Sequence, residues 1–135
     1  MNLEVLKASL IKHEDWKNDL YRDSEGHLTG GVGHNFDEPM PDALVNLILD
    51  YDISVRIAEL DRVFPSWRTH SDNRQNVLVE LMFNMGAPRL QGFVKFWYAM
   101  AQNDYETAAN ELLASKWATQ VHGRADTLAA ILRAG

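Results

Sequence analysis

Glu14, Asp23 and Thr29 fall within one short run of the chain, from His13 to His34, that also holds the turn Ser24-Glu25-Gly26 and the glycine-rich Gly30-Gly31-Val32-Gly33. Breaking a glycosidic bond needs a proton delivered to the leaving oxygen and an anionic partner that positions water or shields the growing positive charge on the sugar. Two spaced carboxyls and a hydroxyl are the groups for that work. Glu14, beside Trp16 and the apolar face of a helix, is expected to hold its proton. Asp23, beside the backbone donors of a turn, is expected to stay ionised, and such separated environments assign acid and base.

The elements that must position these groups follow from periodicity and caps. Asn2 caps a helix from about Leu3 to His13, with Leu3, Leu6, Leu10 and Ile11 at helical steps. A hairpin region runs from about Leu20 to Phe36, with Gly26 suited to a positive backbone angle. Asp37 to Pro41 breaks the chain, and Pro41 with Asp42 starts a long helix to about Val63, striped by Leu44, Ile48, Tyr51 and Val55. Ser71 caps a helix whose face of Val77, Leu78, Leu81, Met82 and Met85 predicts a buried central element, stopped by Gly86 and Pro88. Phe93, Phe96, Trp97 and Met100 pattern another helix, and Asp104 caps one carrying Ala108, Ala109, Leu112 and Leu113. A short turn at Trp117 precedes a last helix from Arg124 to Arg133. The expected fold is α+β and mostly α, with helices on helices and one small sheet.

The order Glu14, eight residues, Asp23, five residues, Thr29, then Gly31-Val32-Gly33-His34, resembles the catalytic signature of the phage-type lysozymes of glycoside hydrolase family 24, the T-even phage endolysin group. The likeness extends through Met82-Phe83-Asn84-Met85-Gly86, Gly92-Phe93, Ser115-Lys116-Trp117 and Arg124, and covers nearly the whole chain. It implies a single lysozyme-like domain over residues 1–135: a small lobe of about 14–40 with a short β-hairpin, and a helical body of about 41–135 plus the N-terminal helix, joined by the long helix. It implies a muramidase that cleaves the β-1,4 bond from N-acetylmuramic acid to N-acetylglucosamine in peptidoglycan. Glu14 is then the general acid, and Asp23 with Thr29 holds the attacking water. Phe83, Asn84 and Arg124 become substrate-binding candidates, Arg124 approaching Glu14 across a cleft, and His34 becomes a structural prop paired with Asp52. Family precedent is inversion, for which the two carboxyl groups stand roughly 6.5 to 9.5 Å apart.

Two features depart from the family pattern. Gly30 replaces the usual isoleucine after the threonine, which predicts a less stiff strand. Few residues separate His34 from the long helix, which predicts a reduced small lobe.

Thr29 alone is an ordinary strand residue, and Phe83, Trp97 and Trp117 lie on helical stripes that suit a core. His34 with His27, Asp37 or His13 lacks a metal-ligand spacing, and the glycine run lacks the trailing Lys and Ser or Thr of a phosphate loop, so neither metal nor other cofactor is expected. Without cysteine there is no disulfide, thiolate nucleophile or cysteine zinc site. The formal net charge of −6 sits in the first half, where residues 1–70 carry seven Lys or Arg against thirteen Asp or Glu while residues 71–135 carry six of each. That balance argues against nucleic acid as a partner and predicts activity sensitive to salt and divalent ions. No stretch suits membrane insertion, and the N-terminus lacks the pattern of a signal peptide. The resemblance implies a holin that admits the protein from the host cytoplasm to the periplasm or wall, and a monomer is expected because the substrate is a polymer mesh. A lytic transglycosylase, which needs no water-holding carboxylate, and a wall-binding module without turnover are the rival readings.

Overall fold

Strong local stop signals divide the chain into short elements, and the computed structural model describes all of them, from Met1 to Gly135. By internal contacts the chain forms two compact units, Met1–Leu47 and Ile48–Gly135. The sequence alone suggests grouping the N-terminal helix with the helical body, whereas contacts place it in the first unit.

In the first unit, α1 (Leu3–Glu14) begins where the Asn2 side chain accepts the Val5 N–H at 3.1 Å, satisfying a donor that the first turn leaves open. It ends at Asp15, a non-glycine residue at φ 65°. Three antiparallel strands follow in the order β1 (Lys17–Arg22), β2 (Leu28–Gly31) and β3 (His34–Asn35). Tyr21 pairs with Thr29 and Thr29 with Asn35, so Thr29 is the central rung of the sheet. The third strand was not foreseen from the sequence: two residues carry no periodicity to read.

The helix α2 (Asp42–Val63) contains the boundary between the units. The second unit is all helical. A 3-10 helix (Pro65–Thr69) leads to α3 (Asp72–Met85), α4 (Ala87–Gln91), α5 (Val94–Ala101), α6 (Tyr105–Leu113), α7 (Lys116–Gln120) and α8 (Gly123–Ala134). As its pattern predicts, α3 is central, with Val77, Leu78, Leu81 and Met82 buried among Leu60, Phe96, Leu112, Trp117, Leu128 and Leu132. Gly86 ends α3 as the pattern predicts, its N–H donating to the Met82 carbonyl, and Pro88 sits in the first turn of α4, where proline gives up an N–H that has no intrahelical partner anyway. One expectation, a short turn at Trp117, is corrected. The segment at Trp117 is the helix α7, capped by Ser115, whose hydroxyl accepts the Ala118 N–H.

Each tryptophan of this unit finds an acceptor for its indole N–H, as a ring beside or in a core must. Trp67 donates to Asp61, Trp97 to the Leu90 carbonyl and Trp117 to Asn84, at 2.8, 2.8 and 2.7 Å. Trp97 also stacks on Phe64, with ring centroids 3.6 Å apart. Asp61 serves Arg68 as well, whose Nε and Nη2 reach its two carboxylate oxygens at 2.6 and 2.8 Å. That guanidinium and the Trp67 indole hold the Asp61 carboxyl down to about 2. Asp61 therefore remains ionised in the fold at a pH where the unfolded chain is already protonated. Its stabilisation is whole above the ordinary value of 3.8 and disappears as the pH falls to about 2. Chemical unfolding of Asp61→Asn followed against pH is expected to lose part of the acid limb of the wild-type curve between these values, with the two proteins converging at the acid end.

Candidate active site

Within the first unit Asp23 and Thr29 meet around His27, and Glu14 lies against Gly33. Glu14 is the last residue of α1, and its side chain lies over Gly33 in the turn from β2 to β3. A Cβ added at Gly33 would meet Glu14 Oε2 at 3.2 Å and its Cβ at 3.5 Å. Gly33 also has φ 67°, which a side chain disfavours. The absence of a side chain at Gly33 is therefore a seat for the Glu14 carboxyl.

Asp23 follows β1 and closes the turn to β2. Its Oδ1 accepts the N–H groups of Glu25 at 2.9 Å and His27 at 2.8 Å, an arrangement in which an aspartate side chain imitates a backbone turn. The backbone repeats the closure, with Asp23 N–H donating to the His27 carbonyl and Gly26 N–H to that of Asp23, both at 3.0 Å. Gly26 takes the positive φ, 84°, that the turn requires. Both side-chain bonds fall on Oδ1, so Oδ2 is the oxygen left for another donor.

Thr29 is buried at 5% exposure, and its hydroxyl donates to the His27 carbonyl at 2.9 Å. Having committed its proton there, the oxygen can serve a further partner only as an acceptor. Asp23 and Thr29 are linked through His27, whose N–H goes to one and whose carbonyl receives the other. His34, in β3, packs crosswise to Phe36, with ring centroids 4.6 Å apart.

Gly30 lies in β2 beside Thr29. It is itself buried, and the place its side chain would take is filled, with Leu20 Cδ2 at 2.7 Å and Phe36 Cε2 at 3.2 Å from an ideal Cβ. The place of a β-branched side chain on β2 is taken instead by the ends of the Leu20 and Phe36 side chains.

Asp52, Phe83, Asn84 and Arg124 belong to the second unit. Asp52 is half-buried on α2, in the unit that does not contain His34. Phe83 is 44% exposed and, with Asp52 and Arg56, lines a small depression of about 220 Å³. Asn84 spends its carbonyl oxygen on Trp117. Arg124 is fixed by Glu80, whose Oε1 accepts from its Nε at 3.1 Å and Nη2 at 2.9 Å. Neither partner was foreseen, although Glu80 and Asn84 lie four apart, on one face of α3. Nor was the bond from the Leu28 N–H to the Asp37 carboxylate at 3.0 Å. An aspartate in a stretch of breaker residues carries no signal of a partner nine positions back.

No group of three or more His, Asp or Glu side chains is placed to hold a metal ion. No helix is long and apolar enough to cross a membrane.

The chain matches the phage lysozyme family over residues 11–133. It is 26% identical to the pre-baseplate central spike protein Gp5 of Enterobacteria phage T4, over 93% of this chain and 27% of that protein. It is 25% identical to a probable T4-type lysozyme 2 of Dictyostelium discoideum, over 96% of this chain and 94% of that one. The chain thus spans about a quarter of the length of the spike protein and nearly all of the amoebal one.

Replacing Gly33 with alanine introduces an unfavourable left-handed backbone and a methyl group against the Glu14 carboxyl, at a cost of about 1–2 kcal/mol. Amide exchange in the β2–β3 ladder of Gly33→Ala is expected to accelerate by about five- to thirtyfold, the same free energy expressed as a ratio, while α3 amides keep their protection.

Proposed function

Because the chain belongs to the phage lysozyme family, a family of peptidoglycan-hydrolysing glycosidases, we propose that it is an endolysin-type muramidase that cleaves the β-1,4 bond between N-acetylmuramic acid and N-acetylglucosamine. The observation that carries this reading is the arrangement at Asp23. One carboxylate oxygen is held by two backbone donors, the other is open, and a buried threonine hydroxyl able only to accept is tied to the same backbone residue. A water molecule has two protons to give. Asp23 Oδ2 and Thr29 Oγ1 are two acceptors for them, and the lone pair of a water so held is left to attack the anomeric carbon.

In the proposed reaction Glu14 protonates the glycosidic oxygen as the bond from it to the anomeric carbon breaks. The water oxygen bonds to that carbon, and its proton passes to Asp23. The new hydroxyl lies on the face opposite the leaving group, so the configuration inverts. Phe83 offers an exposed aromatic face to a sugar ring. Asn84 and Arg124 act in substrate binding from the positions in which Trp117 and Glu80 hold them. His34 and Asp52 support the site without taking part in the chemistry. The protein acts as a monomer, since its substrate is a polymer mesh, and reaches the wall from the host cytoplasm through a holin.

Purified peptidoglycan treated with the wild-type protein is expected to release fragments ending in reducing N-acetylmuramic acid, read by mass spectrometry. Glu14→Gln is expected to lower that release by about a hundredfold or more, the range usual for a lost proton donor, while still binding the wall. Anhydro ends would identify a transglycosylase and remove the role given to Asp23. Full activity in Glu14→Gln would remove the role given to Glu14.

A further inference from the structure

We propose that Asp37 and Arg22 form a clamp on the turn that carries Asp23, and that Asp37 is a positioning residue for hydrolysis; this rests on the reading of Asp23 as the water-holding carboxylate. Asp37 follows β3, yet its Oδ2 accepts the N–H of Leu28, the first residue of β2, at 3.0 Å. On its other side the Leu28 carbonyl accepts the Phe36 N–H at 2.7 Å. Leu28 is thus held at both polar groups by consecutive residues, one through its backbone and one through its side chain. The Asp37 N–H donates in turn to Asn35 Oδ1 at 2.9 Å, and Asn35 is the rung opposite Thr29.

Arg22 closes the clamp from the β1 side. Its Nη1 donates to the Gly26 carbonyl at 3.2 Å and stands 3.5 Å from Asp37 Oδ1. The turn is then gripped at its tip, through Gly26, and just past its end, through Leu28, by one ion pair. His27 lies within it, with Nδ1 3.7 Å from Asp37 and Nε2 3.5 Å from Glu25.

An ion pair as exposed as this one, with Arg22 at 64% and Asp37 at 41%, adds little to stability by itself. A carboxylate accepting a backbone N–H is a stronger and more directional bond. It acts on the residue between His27, which binds Asp23 and Thr29, and Thr29 itself. The clamp therefore governs where the two water acceptors stand rather than whether the chain folds. Displacement of such groups is felt in turnover before it is felt in binding.

The test measures kcat and KM on purified peptidoglycan, with amide spectra of the whole chain, for the wild type, Asp37→Ala, Asp37→Asn and Asp23→Asn. Asp37→Ala is expected to lower kcat by about tenfold with KM within about twofold, the split that marks loss of transition-state positioning. The Leu28 amide should move upfield and exchange faster, while signals of α3 stay in place. Asp37→Asn keeps an acceptor oxygen without the charge, and is expected to restore kcat to within about threefold of wild type. An unchanged kcat in Asp37→Ala overturns the proposal. So does loss of amide dispersion across the first unit in both Asp37 variants, which would make Asp37 a stability residue only. Wild-type turnover in Asp23→Asn would instead defeat the underlying reading of Asp23, whatever Asp37 does.

Discussion

The hydrogen bonds that the Asp23 carboxylate accepts from two successive parts of its own turn are the constraint on which the first unit depends. The five-residue reversal between β1 and β2, Asp23 to His27, has N–H groups of its own to satisfy. One carboxylate oxygen takes two of them. The turn, the register of β1 on β2 and the burial of Thr29 follow from that closure. The candidate water-holding group is thus not an addition to a finished scaffold but part of what shapes it. Its two oxygens divide the work, one structural and one open.

The second unit is governed by a different demand, the satisfaction of indole N–H groups beside a helical core. Trp67, Trp97 and Trp117 each join an element to a neighbour through one directed bond, while the rings fill volume. α3 supplies both kinds of contact. Its buried face of Val77, Leu78, Leu81 and Met82 provides apolar area, and Glu80 and Asn84 fasten Arg124 of α8 and Trp117 of α7. Apolar burial sets the packing of the helices, and the directed bonds choose one orientation among several of similar burial.

Much of this was legible in the sequence because caps and stops are local. Asn2, Ser71, Asp104 and the α3 stripe each lead to the element found, with ends within a residue or two. The α+β class follows from the same signals, and the Asp23 turn was readable because aspartate before Ser-Glu-Gly is a turn signal by itself. What escaped was either too short to show a period, as with β3 and α7, or depended on residues distant in sequence. The Asp37 bond to Leu28, the Glu80 hold on Arg124 and the Gly33 seat for Glu14 are of that second kind.

The filling of the space over Gly30 by Leu20 and Phe36 has a consequence for how this sheet can change over generations. A buried strand position usually varies by exchanging one apolar residue for another of similar bulk. Here the volume of the missing side chain has been taken over by residues of the preceding strand and of the segment just after the last one. A lineage that gains a side chain at this point has to turn aside the end of Leu20, which is more than half exposed, and to shift the Phe36 ring by a few tenths of an ångström. Substitutions at 20, 30 and 36 should therefore travel together among relatives. A homologue with isoleucine at the middle position should carry smaller or differently turned residues at the other two.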